Sequence, residues 1–325
     1  MIKYSFIIPV KEINDYIQET VAAILKISRD DYEIIIYPDV ATSDVWLKTR
    51  QIATGHVGPA QKRSLAINDA ASEILVFVDD DAYPQADFLD KLDDDFSSAE
   101  VVAVGGPAIT PASDGFWQKV SGAVFLSKLS GGFPERYAAV GVKHFVDDWP
   151  SVNLSVRKTD FSAVGGFDSV YWPGEDTKLC IDLIKKAKGK ILYDPALICF
   201  HHRRDGFFRH LKQIGNYGLH RGFFVKKFPQ TSLKLKYFFP GFFLLFVLVG
   251  ALFSLYSPFF LKLYILGWLV YVLILVKALL EISKYEKNWS ILLNSLYYIF
   301  FTHIFYGIRF IQGLIFTRDL KSKLR

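Results

Sequence analysis

The sequence predicts a doubly wound α/β domain followed by membrane-embedded helices. Up to about Pro229, short apolar runs alternate with amphipathic helical patterns, which is how strands and covering helices alternate in such sheets. From Tyr237 onward the residues are mostly Phe, Leu, Ile, Val and Tyr. The 325-residue chain is 51% apolar and 16% aromatic, above a usual soluble composition, and the excess lies in this last part.

Taken in order, Tyr4–Ile8, Glu33–Tyr37, Ile74–Val78 and Val101–Val104 are short apolar runs of the kind that form buried parallel strands. Between the first two, Ile17, Val21, Ile24 and Leu25 share one helical face. Between the second and third, Ala60, Ser64, Ile67 and Ala71 share another. In open α/β sheets, ligands bind beyond the carboxyl ends of the strands. That rule directs attention to Pro9-Val10, Asp39, Asp79-Asp80-Asp81 and Gly105-Gly106-Pro107.

From Ser113 to Trp149 the periodicity weakens. Glycines and aromatics are frequent there, as in Gly131-Gly132-Phe133 and Asp147-Asp148-Trp149-Pro150, which predicts an irregular segment suited to lining an acceptor site. Regular structure returns with a strand at Asn153–Arg157 and a helix from Glu175. Leu179, Cys180, Leu183, Ile184 and Ala187 form the apolar face of that helix, and Gly189 is its expected stop.

Phe207 to Phe228 reads as an amphipathic helix suited to a headgroup layer: Phe207, Leu211, Ile214, Gly218, Gly222 and Val225 face one way, Arg209, Lys212, Lys226 and Lys227 elsewhere. Phe238–Tyr256 and Phe259–Leu280 are expected spans, joined through Ser257-Pro258, with Lys262 and Lys277 near enough to the ends to snorkel. The third apolar segment, Ile291–Phe316, contains His303 and Arg309. A crossing by it would put the basic tail opposite the cytoplasm, against the positive-inside tendency, so either the segment is interfacial or re-entrant, the preferred reading, or the tail is an exception. The net charge of +5 is concentrated at Lys226 to Lys236 and Arg318 to Arg325. Cations flanking apolar segments fit a cytoplasm-facing membrane surface rather than nucleic acid. The apolar run Tyr4–Val10 is too short for a signal peptide and stops at Lys11-Glu12, so the expected location is a multi-pass protein of the cell membrane with a cytoplasmic catalytic domain. In that compartment Cys180 and Cys199 are expected to stay reduced. The expected boundaries are a catalytic domain at 1–205, an interfacial linker at 206–236 and a membrane region at 237–325.

Three constellations carry chemistry. Asp79-Asp80-Asp81 ends a buried strand, and adjacent carboxylates there repel one another unless a cation is present; hard oxygen ligands suit Mg²⁺ or Mn²⁺, often shared with substrate phosphates. Asp93-Asp94-Asp95, in a helical stretch, reads instead as a solvated acidic turn. Trp172-Pro173-Gly174-Glu175-Asp176 puts two carboxylates at a helix start, favoured by the helix dipole in any case; the functional reading makes one of them a general base. His201-His202-Arg203-Arg204 offers a metal-ligating imidazole and cations for phosphate, although basic clusters are usually solvated. Lys62 and Arg63 read by themselves as exposed helix charges.

The order of these motifs resembles glycosyltransferase family 2, with its GT-A fold, a Rossmann-like mixed sheet. The matching pieces are Ser5-Phe6-Ile7-Ile8-Pro9-Val10, Glu33-Ile34-Ile35-Ile36 ending near Asp39, and Gly58-Pro59-Ala60-Gln61-Lys62-Arg63. Phe77-Val78-Asp79-Asp80-Asp81, Val164-Gly165-Gly166-Phe167-Asp168 and Gly174-Glu175-Asp176 follow, over roughly the first two-thirds of the chain. The resemblance implies nucleotide contacts from Asp39 and Arg63, with Pro9, Val10 and Lys62 lining the pocket and Asp79 and Asp80 at the donor. It implies a divalent metal, Mn²⁺ or Mg²⁺, on Asp79 and Asp81, with His201 as a further contact for which His202 competes. Asp176 matches the catalytic base, preceded by Glu175.

Two departures matter. Tyr37-Pro38-Asp39-Val40 lacks a frequently acidic first position. Gln213, Asn216 and Tyr217 stand where processive synthases of the family carry Gln-x-x-Arg-Trp, and without that Arg-Trp pair single-sugar transfer is expected. The resemblance thus implies an inverting transfer from a nucleotide sugar, by default a UDP-sugar, to a lipid-linked or polysaccharide acceptor in cell-envelope synthesis. The alternatives are a non-catalytic membrane scaffold that binds sugar nucleotides and, less compatible with so large a polar domain, a transporter.

Overall fold

The computed structural model describes residues 1–130, 132–171 and 174–320. Gly131, Trp172, Pro173 and the end of the basic tail, 321–325, lie outside the described residues. The chain forms two compact units, Met1–Pro111 with Ala138–His202, and Ala112–Tyr137 with Arg203–Leu320.

The first unit holds eleven strands among the described residues. They are β1 (Tyr4–Pro9), β2 (Tyr32–Tyr37), β3 (Thr49–Gln51), β4 (Ile74–Val78), β5 (Ala82–Pro84), β6 (Val101–Gly105), β7 (Ala108–Ile109), β8 (His144–Val146), β9 (Asn153–Arg157), β10 (Lys190–Tyr193) and β11 (Cys199–His201). The main sheet has the order β3-β2-β1-β4-β9-β6-β10-β8, and a second sheet has β5-β11-β7. β1 pairs parallel with β2 and β4, and β6 with β10. β9 enters antiparallel between β4 and β6, and β8 pairs antiparallel with β10. Every expected strand is present, but the sheet is mixed. Because β9 runs backwards, its start lies beside the end of β4, with Asn153 opposite Val78.

Helices cover both faces of the sheet. They are α1 (Asp15–Ile24), α2 (Pro59–Ser64), α3 (Ala66–Asp69), α4 (Phe88–Asp95), α6 (Lys158–Ala163) and α7 (Glu175–Lys185); α5 (Phe116–Ala123) belongs to the second unit and is not one of them. Asn14 caps α1 by accepting from the Ile17 N–H, the kind of bond worth about 1 kcal/mol. One core packs Ile8, Val10, Ile17, Val21 and Val76 on one face; the other packs Ile7, Phe77, Leu154, Phe161 and Leu179. The residue that turns the chain after α7 is Lys188, at φ 57°, not Gly189. Gly189 answers a packing demand, since a β-carbon there would stand 2.1 Å from Val102 Cγ1.

Asp93-Asp94-Asp95 is not simply solvated. Asp93 accepts from Lys3, from Tyr4 at 2.6 Å and from Arg29 at 2.5 Å. Those bonds hold its carboxyl down at about 2 against the opposing effect of burial. Asp95 is buried and takes Lys143 Nζ at 2.5 Å. A helical pattern shows the side a residue faces, but not which distant cations reach it.

The second unit contains α5, α8 (Phe207–Lys227), α9 (Pro229–Ser232), α10 (Phe239–Ser254), α11 (Pro258–Ile282) and α12 (Trp289–Ile311). The segment expected to be irregular therefore holds a helix, stabilised because Val120 and Ala123 pack with Ile291, Leu292 and Ile299 of α12. Two helical segments, Pro258–Ile282 and Trp289–Phe316, are long and apolar enough to cross a membrane. The first expected span is a shorter helix of 16 residues, α10.

Candidate active site

Strand ends, α2 and the start of α7 carry the predicted residues. Pro9 ends β1 opposite Tyr37 of β2, and the Val10 N–H donates to the Tyr37 carbonyl at 3.1 Å. Lys62 Nζ donates to the Val10 carbonyl at 2.5 Å and to the Asp39 carboxylate. His56 Nδ1 meets the other Asp39 oxygen at 2.9 Å. Burial raises the Asp39 carboxyl, but Lys62 and His56 outweigh it and hold it below its ordinary value.

Lys62 and Arg63 are 3% and 4% exposed, so neither is a surface charge. α2 turns both inward, and a buried cation needs an ionic partner. For Arg63 there are two. It donates to Asp79 and, at 3.4 Å, to Glu175 Oε1. Those charges, with Asp176, raise its pKa despite burial. Arg63 is thus held between two carboxylates at the expected nucleotide site.

After β4, the chain passes Asp79 and Asp80 and enters β5. There the β5–β11 pairing sets His201 opposite Ala82. His201 Nε2 lies 3.2 Å from Asp81 Oδ1, and the His202 N–H donates to the Asp81 carbonyl at 3.0 Å. Asp79, Asp81 and His201 each offer a ligand atom within 4.8 Å of the others. Two carboxylates and an imidazole fit a small divalent cation such as Mn²⁺. Asp80 is partly exposed beside this group. His202 is occupied differently: its Nε2 shares a hydrogen bond with Glu19 Oε2 at 2.9 Å, and Tyr16 packs on its ring at 4.8 Å. The two neighbouring histidines thus have different partners, one in the acidic group and one on α1.

Glu175 and Asp176 open α7. Glu175 is 4% exposed, whereas Asp176 keeps partial access to solvent. Burial and the charge of Asp176 push Glu175 well above the usual carboxylate range, with Arg63 pulling it back. Asp176 is also raised by burial, opposed by Arg63 and by the Ser151 N–H, which donates to Asp176 Oδ2 at 3.2 Å. Thr177 donates to Asp148 Oδ1 at 2.9 Å. Trp149 packs against Gly105, where a β-carbon would stand 2.2 Å from its ring, and donates from Nε1 to the Gly106 carbonyl at 3.0 Å. The Gly105-Gly106 pair therefore admits a buried tryptophan that anchors the segment touching Asp176. Sequence reasoning gave no role to Ser151, Asp148 or Glu19. The Asp147-Asp148-Trp149-Pro150 cluster was the available signal for the first two, and Glu19 left none. Arg203 belongs to the second unit, where its N–H donates to Asp114 Oδ2 at 3.1 Å and its guanidinium covers the Tyr137 ring.

A mixed sheet of this order, with an acidic group following β4 and carboxylates opening α7, is a GT-A-like fold. Residues 5–149 match the family model of glycosyl transferase family 2. A pre-mycofactocin glycosyltransferase of Mycobacterium tuberculosis is 31% identical over 147 residues, 45% of this chain. The chain spans only 30% of that relative's length. A Methanococcus voltae protein is 23% identical over 307 residues, covering 88% of each chain. It is named a dolichyl N-acetyl-alpha-D-glucosaminyl phosphate 3-beta-D-2,3-diacetamido-2,3-dideoxy-beta-D-glucuronosyltransferase. Among solved structures, a mannosyltransferase from Pyrobaculum calidifontis in complex with GDP-Man and Mn²⁺ superposes with a TM-score of 0.54. It is 16% identical, over 96% of this chain and 87% of its own, and shares the fold.

Proposed function

We propose that this chain is an inverting glycosyltransferase that moves a single sugar from a nucleotide sugar, by preference a UDP-sugar, to a hydroxyl of a lipid-linked or membrane-proximal glycan. The observation that carries this reading is the grouping of Asp79, Asp81 and His201 within 4.8 Å, linked through Arg63 to the helix start that bears Asp176. The dolichyl-linked substrate in the name of the Methanococcus relative supports a lipid-linked acceptor.

Asp79, Asp81 and His201 would hold a divalent cation. Bound there, the cation supplies positive charge to the departing diphosphate. Asp39 and Lys62, fixed to each other at the end of β1, line the nucleotide side together with Pro9 and Val10. On the acceptor side, the Ser151 N–H fixes one Asp176 oxygen, and the carboxylate takes the proton of the incoming hydroxyl. The hydroxyl oxygen bonds to the anomeric carbon as that carbon's bond to the diphosphate oxygen breaks. A single displacement from the opposite face inverts the anomeric configuration.

The test is incubation of purified protein with Mn²⁺, a panel of sugar nucleotides and a polyprenyl-linked acceptor. Transfer by the natural chain and its loss in Asp176→Asn are expected. Metal-dependent nucleotide binding with no turnover of any donor would instead identify a non-catalytic scaffold.

A further inference from the structure

Sequence alone leaves the third apolar segment either spanning or interfacial, and the packing of the second unit favours one side. α12 lies along α8 in the same direction. Phe207 of α8 meets Tyr297, Tyr298 and Phe301, and His210 Nε2 shares a hydrogen bond with Thr302 Oγ1 at 2.9 Å. Further along, β-carbons added to Gly215, Gly218 and Gly222 would run successively into Phe305, Tyr306 and Phe310. Gly313 meets the Leu219 carbonyl in return. Arg309 donates to the Gly215 carbonyl at 3.4 Å, so the charge inside the apolar segment is turned towards α8. At the far end, Lys226 Nζ donates to the Thr317 carbonyl at 2.7 Å.

The two helices therefore share one path, and α8 cannot cross a bilayer. A span needs about 20 predominantly apolar residues. α8 has 21 residues in all, with Arg209, Lys212, Arg221, Lys226 and Lys227 spaced from end to end. Arg209, Lys212, Lys226 and Lys227 are exposed. The four residues between His202 and α8 reach about 14 Å when extended, too short to carry the chain through a membrane beforehand. The start of α12 is occupied too, since Ile291 and Leu292 pack with Val120 and Ala123 of α5.

Most of the exposed apolar side chains of this unit lie on α10 and α11, with fewer, such as Leu293, Tyr297 and Ile308, on α12. Phe242, Leu248 and Leu252 on α10, and Leu266, Leu269 and Leu273 on α11, are exposed. Lys262 and Lys277 lie about 22 Å apart along α11 at a rise of about 1.5 Å per residue, a spacing that lets both amines reach opposite headgroup layers. We propose that this hairpin is immersed in a lipid bilayer, and that α12 lies with α8 along its surface side without crossing, its middle dipping against Trp268 and Tyr271 of α11 through Phe300 and His303. The chain beyond Thr317 then emerges on the same side as the first unit, which keeps its basic residues with those at Lys226 and Lys227.

The test uses variants of the full chain with one added cysteine, in sealed membrane vesicles of known orientation, probed with a membrane-impermeant maleimide. Cys180 and Cys199 are buried, so background labelling is low. Asn68→Cys reports the first unit and Asp319→Cys the chain after α12; both positions are exposed. Labelling of both from the same face is expected. Labelling from opposite faces would show that α12 crosses and would overturn the proposal. Recovery of the natural chain in the soluble fraction after lysis would overturn its lipid partner. Neither readout requires turnover, so the result is independent of the proposed activity.

Discussion

Arg63 and Glu175 meet as a buried ion pair at 3.4 Å, although 112 positions of sequence separate them. Because Arg63 also holds Asp79, one guanidinium joins the proposed leaving-group side to the helix of the proposed base. Replacing it by methionine leaves Asp79 and the buried Glu175 without their counter-ion. Arg63→Met is expected to lower unfolding free energy by about 3 kcal/mol, the usual scale for breaking a buried pair. Arg63→Lys should recover part of that loss. Chemical denaturation of the detergent-solubilised protein measures both, and an unchanged midpoint would remove Arg63 from this structural role.

Asp176→Asn keeps the shape of the side chain and the acceptor for the Ser151 N–H, but not the ability to take a proton. A fall in kcat of about 10²- to 10⁴-fold with little change in donor KM is expected. A proportionate rise in KM at unchanged kcat would assign Asp176 to binding instead.

The pH profile follows from the same residue. A general base works when deprotonated, so activity rises with pH through its pKa. Burial places that pKa above the ordinary aspartate value, while Arg63 and Ser151 limit the shift. Asp148 adds a raising influence. The acidic limb of kcat/KM is therefore expected above the usual aspartate range and should move to lower pH in Asp148→Asn. Movement to higher pH would contradict this electrostatic account.

His201 and His202 should separate cleanly under titration with Mn²⁺. His201→Ala removes a nitrogen from the acidic group, and the Mn²⁺ concentration for half-maximal activity should rise at least about tenfold, equal to about 1.4 kcal/mol. His202→Ala removes the contact with Glu19 and is expected to affect stability more than metal affinity. The reverse ranking would place the metal on the other histidine.

Gly106 tests how tightly the site edge is built. A β-carbon there would lie 1.8 Å from the Leu197 carbonyl oxygen, which belongs to a backbone held by Asn153 Nδ2 at 2.8 Å. Gly106→Ala is expected to cost about 3 kcal/mol, at the upper end for overpacking. In thermal unfolding of a unit of this size that corresponds to roughly 6–12 °C. A shift within error would show that the loop after Asp194 moves freely.

The local chemistry of the chain determined much of this. Apolar runs placed β1, β2, β4 and β6, since a strand buried on both faces is predominantly apolar. The strand-end rule singled out Asp79 and Asp81, and the motif order singled out Asp176. Tertiary structure decided which residues meet. Lys62 and Arg63 look like surface charges until α2 turns them inward, because helical periodicity gives a face but not the carboxylates that compensate it. The β5–β11 pairing set His201 beside Asp81, and the reversed direction of β9 brought Ser151 to Asp176; neither pairing leaves a local signature in strands this short. α12 gives the same lesson in reverse. Its sequence leaves a span and an interfacial position both open, whereas its glycine-lined contact with a charged helix is a property of two segments about 90 residues apart, which no single stretch of sequence encodes.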